Sequence, residues 1–349
     1  MSNRKLLTIS IAAYNVEEYI NNTIRSLVDS KKILNDIEII IVNDGSLDNT
    51  VNISKEYARK YSNSIILIDK ENKGYGSTIN ESLKIASGKY FKLLDGDDWY
   101  DTSELCKFVD VLKESNADLI FTKYTKINDI TKEKVVIKNG DLIYDGITKE
   151  FNTINNKTNI AMHEIAFKTS ILKNNNIHIT ENCYYTDVEY VLKPLEYVKT
   201  MSSFDINLYM YRQGRIDQSI SIKSISNKYN QALQASLMLA EYYENNLKKK
   251  NNYNAKFIKS CIVDSVQNKA ILLLKFDDWR LKVFEFKKFL EKIKRNCPNI
   301  YKDLYNGKSY KKNLIVFIML ITNFKLNSVL KKVLKYLGKI WFKLWNTII

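Results

Sequence analysis

The chain has 349 residues, 45% apolar and 27% charged, which fits a folded globular protein and excludes a largely disordered one. Its 2 prolines and 10 glycines exclude collagen-like and low-complexity classes. The net charge of +15 is unevenly spread: residues 226–349 hold 25 Lys/Arg against 8 Asp/Glu, so the whole excess lies in the last third.

Residues 7–14 form a short apolar run rich in β-branched side chains and read as a buried strand. Residues 17–29 follow with helical spacing, 37–42 as a second strand, and 48–61 as a second helix entered through a polar loop. A strand at 65–69, a helix at 77–86, a strand at 89–94, a helix at 102–115 and a strand at 118–122 continue the alternation. Such alternation predicts βαβ units and an α/β, doubly wound sheet. The stretch 126–225 is less regular, with strands expected at 134–137 and 203–211 and a helix at 187–197. Beyond residue 226 the pattern is helical and Lys/Asn-rich, beginning with a helix at 230–246. The predicted organisation is therefore a domain over residues 1–225 and a basic helical region over 226–349.

Four scattered cysteines without a CxxC pair speak against a zinc site or a disulfide framework, and a reducing cytoplasm is the expected setting. The short polar start is not the pattern of a signal peptide. The longest apolar run, residues 314–322, reaches only about 14 Å as a helix against roughly 30 Å of hydrocarbon, so no membrane span is expected.

Ligands of open parallel sheets bind beyond the carboxyl ends of the strands. Two acidic clusters fall there: Asn43-Asp44-Gly45-Ser46 and Asp95-Gly96-Asp97-Asp98. Three carboxylates within four residues repel one another unless a cation neutralises them, and Tyr100 stands where a calcium loop needs glycine. Lys73-Gly74-Tyr75-Gly76-Ser77-Thr78 precedes a helix and offers backbone N–H groups to a phosphate. Together these loops describe a nucleotide-diphosphate site with a divalent metal.

The motifs Ser10 to Asn15, Glu38 to Thr50, and Ala86 to Tyr90 leading into Asp95-Gly96-Asp97-Asp98 resemble those of family 2 glycosyltransferases with the GT-A fold. The resemblance covers roughly residues 6 to 220. It implies a GT-A Rossmann-like sheet followed by a helical C-terminal region, and inverting transfer of a single sugar from a nucleotide-sugar donor, UDP-linked, to a glycan or lipid-linked acceptor. It places Ala13 and Tyr14 beside the donor, with Tyr14 stacking on the base and Asp44 hydrogen-bonding to it. It places Asp95 at the ribose and Asp97 on Mn²⁺ or Mg²⁺. Asp187, in Tyr185-Thr186-Asp187, matches the base that deprotonates the acceptor, with Glu181 and Glu189 as rivals. His163 falls where relatives shape the acceptor pocket or complete a metal shell. Arg212 or Arg215, in a late loop that folds over the donor, is the candidate to meet the diphosphate. Many relatives carry Arg before the position of Asn80, where this chain has Ile79, and Lys73 is the candidate replacement cation.

From residue 308 to 349 there are nine lysines and no acid, with apolar side chains from Leu326 to Trp345 on one helical face. That pattern predicts peripheral association with an anionic membrane surface, on the cytoplasmic face, and no nucleic-acid partner. The rival readings are an inert membrane-bound scaffold with the same fold and a basic RNA-binding protein.

Overall fold

A computed structural model describes residues 5–155, 158–214, 221–276, 278–305 and 310–322. The chain divides into two compact units, residues 1–215 and 216–349. Residues 326–345, expected as an amphipathic helix, and Arg215 lie outside the described residues.

In the first unit β1 (Leu7–Ala13), α1 (Ile20–Val28), β2 (Ile37–Asp44), α2 (Thr50–Lys60), β3 (Ile65–Lys70), α3 (Tyr75–Ile85) and β4 (Tyr90–Asp95) follow the expected alternation. Then come β5 (Trp99–Tyr100), α4 (Thr102–Glu114), β6 (Leu119–Asn128), β7 (Lys134–Ile137) and β8 (Lys149–Glu150). The unit closes with β9 (Ile165–Lys168), α5 (Thr169–Asn174), α6 (Asp187–Leu192) and β10 (Thr200–Gln213). These strands make one ten-stranded sheet in the order β3-β2-β1-β4-β9-β6-β10-β5, with β7 on β6 and β8 on β10.

The pairs β1–β2, β2–β3 and β1–β4 are parallel. Their run of Ile, Leu and Val is buried along nearly the whole of β1 and all of β2, as strands covered on both faces require. Helix α4 illustrates how the cover forms. Leu105, Phe108, Val109 and Leu112 recur at i, i+3, i+4 and i+7 and are all buried. Asp101 caps the helix by accepting from the amides of Ser103 and Glu104, a contact worth about 1 kcal/mol.

Two expectations change. The short strand β9, antiparallel to both β4 and β6, enters the sheet between them. Four residues are too few to show alternation, so its place is set by its neighbours. The helix expected over 187–197 ends at Leu192 and gives way to a 3₁₀ turn at Pro194–Tyr197, because Pro194 brings no amide hydrogen.

The second unit is helical: α7 (Ile222–Asn227), α8 (Tyr229–Tyr242), α9 (Tyr253–Leu272), α10 (Trp279–Asn296), α11 (Pro298–Lys302) and α12 (Tyr310–Ile321). Helix α12 is fixed to α9 by Lys312, whose Nζ lies 2.7 Å and 2.9 Å from the two oxygens of Asp264 inside the unit. Among the described residues no helix is long and apolar enough to cross a membrane.

Candidate active site

Strand register brings the predicted loops to one sheet edge. Ala13 pairs with Asn43, and Ala12 with Asp95, so the ends of β1, β2 and β4 are level. Ala13 is buried there, and Tyr14, the next residue, is 45% exposed. Asn15 takes a left-handed backbone (φ 50°). Its amide donates to Ser46 Oγ at 3.0 Å and its side-chain oxygen accepts from the Leu47 amide at 2.8 Å. The loop bearing Tyr14 is thereby clamped to the loop bearing Asp44.

Asp44 is buried, and its Oδ1 accepts from the Lys73 amide at 3.0 Å and from Lys70 Nζ. The carboxylate thus fixes the start of the Lys73–Thr78 loop. Ile79 is fully buried, and the cation that reaches Asp44 is Lys70, which the sequence reading missed; the Lys73 side chain is exposed.

The acid turn is tightly braced. A Cβ on Gly96 would sit 2.8 Å from the Ala12 carbonyl oxygen, so only glycine lets the turn lie against β1. Asp98 accepts from the Tyr209 hydroxyl at 2.7 Å and from the Arg212 amide at 2.7 Å. Arg212 Nε donates to the Asp97 carbonyl at 2.9 Å and Nη1 to Asp129 at 2.8 Å, with the guanidinium over the rings of Tyr19 and Trp99. Arg212 is therefore the latch of the turn, whatever else it meets.

Asp95 accepts from the Tyr75 hydroxyl at 2.8 Å. Burial, followed by the charge of Asp97, pushes the Asp95 carboxyl up to about 7, although the Tyr75 bond favours its ionised form. The same two causes hold Asp98 well above the usual carboxylate range. Single ligand atoms of Asp95, Asp98 and His163 lie within 4.8 Å of one another. His163 stacks between Tyr124 and Tyr211, 5.1 Å and 4.3 Å between ring centres, and its Nδ1 is buried without a hydrogen-bond partner. Burial, then the charges of Lys92 and Lys126, push its imidazole down to about 3, so it stays neutral. Crowded carboxylates held partly protonated and an orphaned neutral imidazole are a donor set suited to a divalent cation.

Lys92, also missed in sequence, supports this cluster from β4. Its Nζ donates to the carbonyls of His163 at 2.7 Å and Ile165 at 3.0 Å, and burial pushes it down to about 7. A lysine inside Tyr90-Phe91-Lys92-Leu93-Leu94 was the available signal.

The segment that carries Asp187 is docked on α3. A Cβ on Gly76 would fall 2.0 Å from the Thr180 carbonyl oxygen. Asn80 bonds both backbone groups of Ile179, at 2.9 Å and 2.8 Å, and donates to Glu181 at 3.0 Å. Glu189 is buried, accepting from the Thr180 amide at 2.9 Å and pairing with Lys193 at 2.7 Å. Asn182 and Tyr185 hold left-handed backbones, φ 55° and 63°, just before Asp187 opens α6. The charge of Asp187 bears on both Asp95 and Tyr75, adding to that of the three acids of the turn.

Residues 8–175 match the family model for glycosyl transferase family 2. The chain carries a family 2 glycosyltransferase domain. The putative glycosyltransferase EpsH of Bacillus subtilis (strain 168) is 27% identical over 294 residues, spanning 78% of this chain and 77% of that protein. The poly(ribitol-phosphate) beta-glucosyltransferase of Bacillus spizizenii is 30% identical over 173 residues, 49% of this chain and 26% of that protein. Among solved structures, S. aureus TarS 1-349 in complex with UDP-GlcNAc has a TM-score of 0.50 at 17% identity, covering 83% of this chain and 92% of that one. The glycosyltransferase domain has the GT-A fold, followed by a helical region.

Proposed function

We propose that this glycosyltransferase moves one sugar from a UDP-sugar to a hydroxyl of a glycan or lipid-linked acceptor, with inversion, in cell-surface polysaccharide or teichoic-acid synthesis. The observation that carries the reading is the gathering of Ala13, Asp44 and Asp95 at level strand ends on one sheet edge, with the charge of Asp187 bearing on Asp95. Tyr14 would stack on the base, beside Ala13, and Asp44 would hold both the base and the Lys73 loop. Asp97 would hold Mn²⁺ or Mg²⁺ beside the cluster of Asp95, Asp98 and His163, in which Asp98 also fixes the turn through Tyr209 and Arg212. When bound, such a cation offsets charge that builds on the leaving nucleoside diphosphate.

Asp187 would take the proton of the acceptor hydroxyl as it attacks the anomeric carbon. Glu189 is held at Thr180 and Lys193, and Glu181 at Asn80. UDP-sugars are the donors to test first because TarS is in complex with UDP-GlcNAc. A phosphate-linked polymer is a fitting acceptor class given the poly(ribitol-phosphate) relative.

Calorimetry of UDP with and without Mn²⁺, followed by a hydrolysis screen across nucleotide sugars, tests the reading. Metal-dependent UDP binding and one preferred donor are expected. Absence of UDP binding with either ion would overturn it, and retention of the donor's anomeric configuration, read by NMR, would overturn the inverting step.

A further inference from the structure

Helix α10 buries Val283, Phe286, Leu290 and Ile293 along one face. On the opposite face Leu281 is 70% exposed and Phe284 61%. The two lie one turn apart at i and i+3, on a surface where Arg280, Lys288, Lys292 and Arg295 are also exposed. The one exposed acid of the helix itself is Glu291. Asp278, just before the helix, is occupied by Ser226 at 3.0 Å and Lys282 at 3.8 Å. Lys288 Nζ stands 4.3 Å from the centre of the Phe284 ring, a cation held over an exposed aromatic ring.

We propose that this face of α10 docks on an anionic lipid bilayer. Single exposed apolar residues are ordinary, but here a leucine and a phenylalanine one turn apart are both more than half exposed and lie beside exposed cations. Leu281 and Phe284 suit the boundary between headgroups and acyl chains, and the flanking guanidinium and ammonium groups suit lipid phosphate. Charge decides among occupants. Residues 323–349 of this chain carry six lysines and no acid, and a second copy packed through this same face would present the same cations, so both are repelled. A nucleic acid would pair with the cations yet leave the two apolar side chains in water. The inference rests on α10 alone and is independent of the donor-site reading.

The test uses the full chain and its Leu281→Ser/Phe284→Ser double variant in vesicle sedimentation. Phosphatidylcholine vesicles with and without phosphatidylglycerol are compared. Wild type should sediment with the anionic vesicles and remain free of the neutral ones. The double variant should lose about tenfold or more in partitioning, with an unchanged melting curve and unchanged donor hydrolysis, since both side chains are exposed. Lys288→Glu/Lys292→Glu should weaken partitioning similarly. Equal partitioning of wild type and the Ser/Ser variant would overturn the proposal. So would a wild-type dimer that the variant dissolves, or binding to RNA but not to anionic vesicles.

Discussion

The Tyr75 hydroxyl donates to Asp95 Oδ1 at 2.8 Å and so ties the loop that opens α3 to the acid turn at the end of β4. The bond favours the ionised carboxylate, yet burial and the charge of Asp97 still hold Asp95 up at about 7. Only the ionised carboxylate binds a cation, so protons compete as pH falls. Mn²⁺ affinity should therefore weaken below pH 7, by about tenfold per unit for one released proton. His163, pushed down to about 3, stays neutral throughout and adds no competition. Tyr75→Phe removes a bond that favours the ionised form, so the same loss should begin at higher pH. Calorimetric Mn²⁺ titrations at several pH values check both statements, and a flat profile would refute the first.

Asp97→Asn and Asp98→Asn should separate. The first should abolish Mn²⁺-dependent UDP binding with little change in melting temperature. The second disturbs the contacts from Tyr209 and Arg212 and should cost about 1–3 kcal/mol in stability. If Asp97→Asn bound UDP and Mn²⁺ like wild type, the ligand role would pass to Asp98.

Asp187→Asn should keep donor affinity while kcat falls by about 10² or more, as for a lost general base. Glu189→Gln should act differently, lowering stability by weakening the contacts with the Thr180 amide and Lys193. Initial-rate kinetics beside thermal melts distinguish the two. Full turnover in Asp187→Asn would move the base to Glu181.

Gly76→Ala tests the docking of the Asp187 segment on α3. The added methyl would meet the Thr180 carbonyl oxygen at 2.0 Å, forcing α3 and the Asp187 segment apart. A loss of about 1–3 kcal/mol in stability is expected, with a rise in donor KM and a fall in kcat together. A wild-type melting curve would mean that the segment is not docked where Gly76 requires.

In the helical unit, Lys312→Met deprives the buried Asp264 of its cation and should cost about 3–5 kcal/mol. Circular dichroism should report early loss of helix, with UDP binding kept at temperatures where the first unit stays folded. A truncation that removes the lysine-rich terminus should accordingly begin after Thr322, beyond α12.

Where local pattern and sheet edge coincide, the sequence was readable. The alternation from residue 7 to 122 predicts β1 to β4 and their helices, and strand ends predict that Tyr14, Asp44 and Asp95 share an edge. Tertiary pairing was not readable. Strand β9 is four residues long, Lys70 reaches Asp44 across 26 positions, and Lys92 holds the carbonyl of His163 across 71. No periodicity encodes such contacts. The Asp98 brace from Tyr209 and Arg212 likewise exists only once β10 has entered the sheet.

The left-handed residues Asn182 and Tyr185 have a consequence for directed evolution. A tyrosine at positive φ stores backbone strain, and glycine there would release it. A selection for heat resistance alone would thus favour Tyr185→Gly, two positions before Asp187. The released segment would gain freedom where the acid has to be aimed, so hardier variants should turn over more slowly. Such a library is best selected for turnover and heat resistance at once.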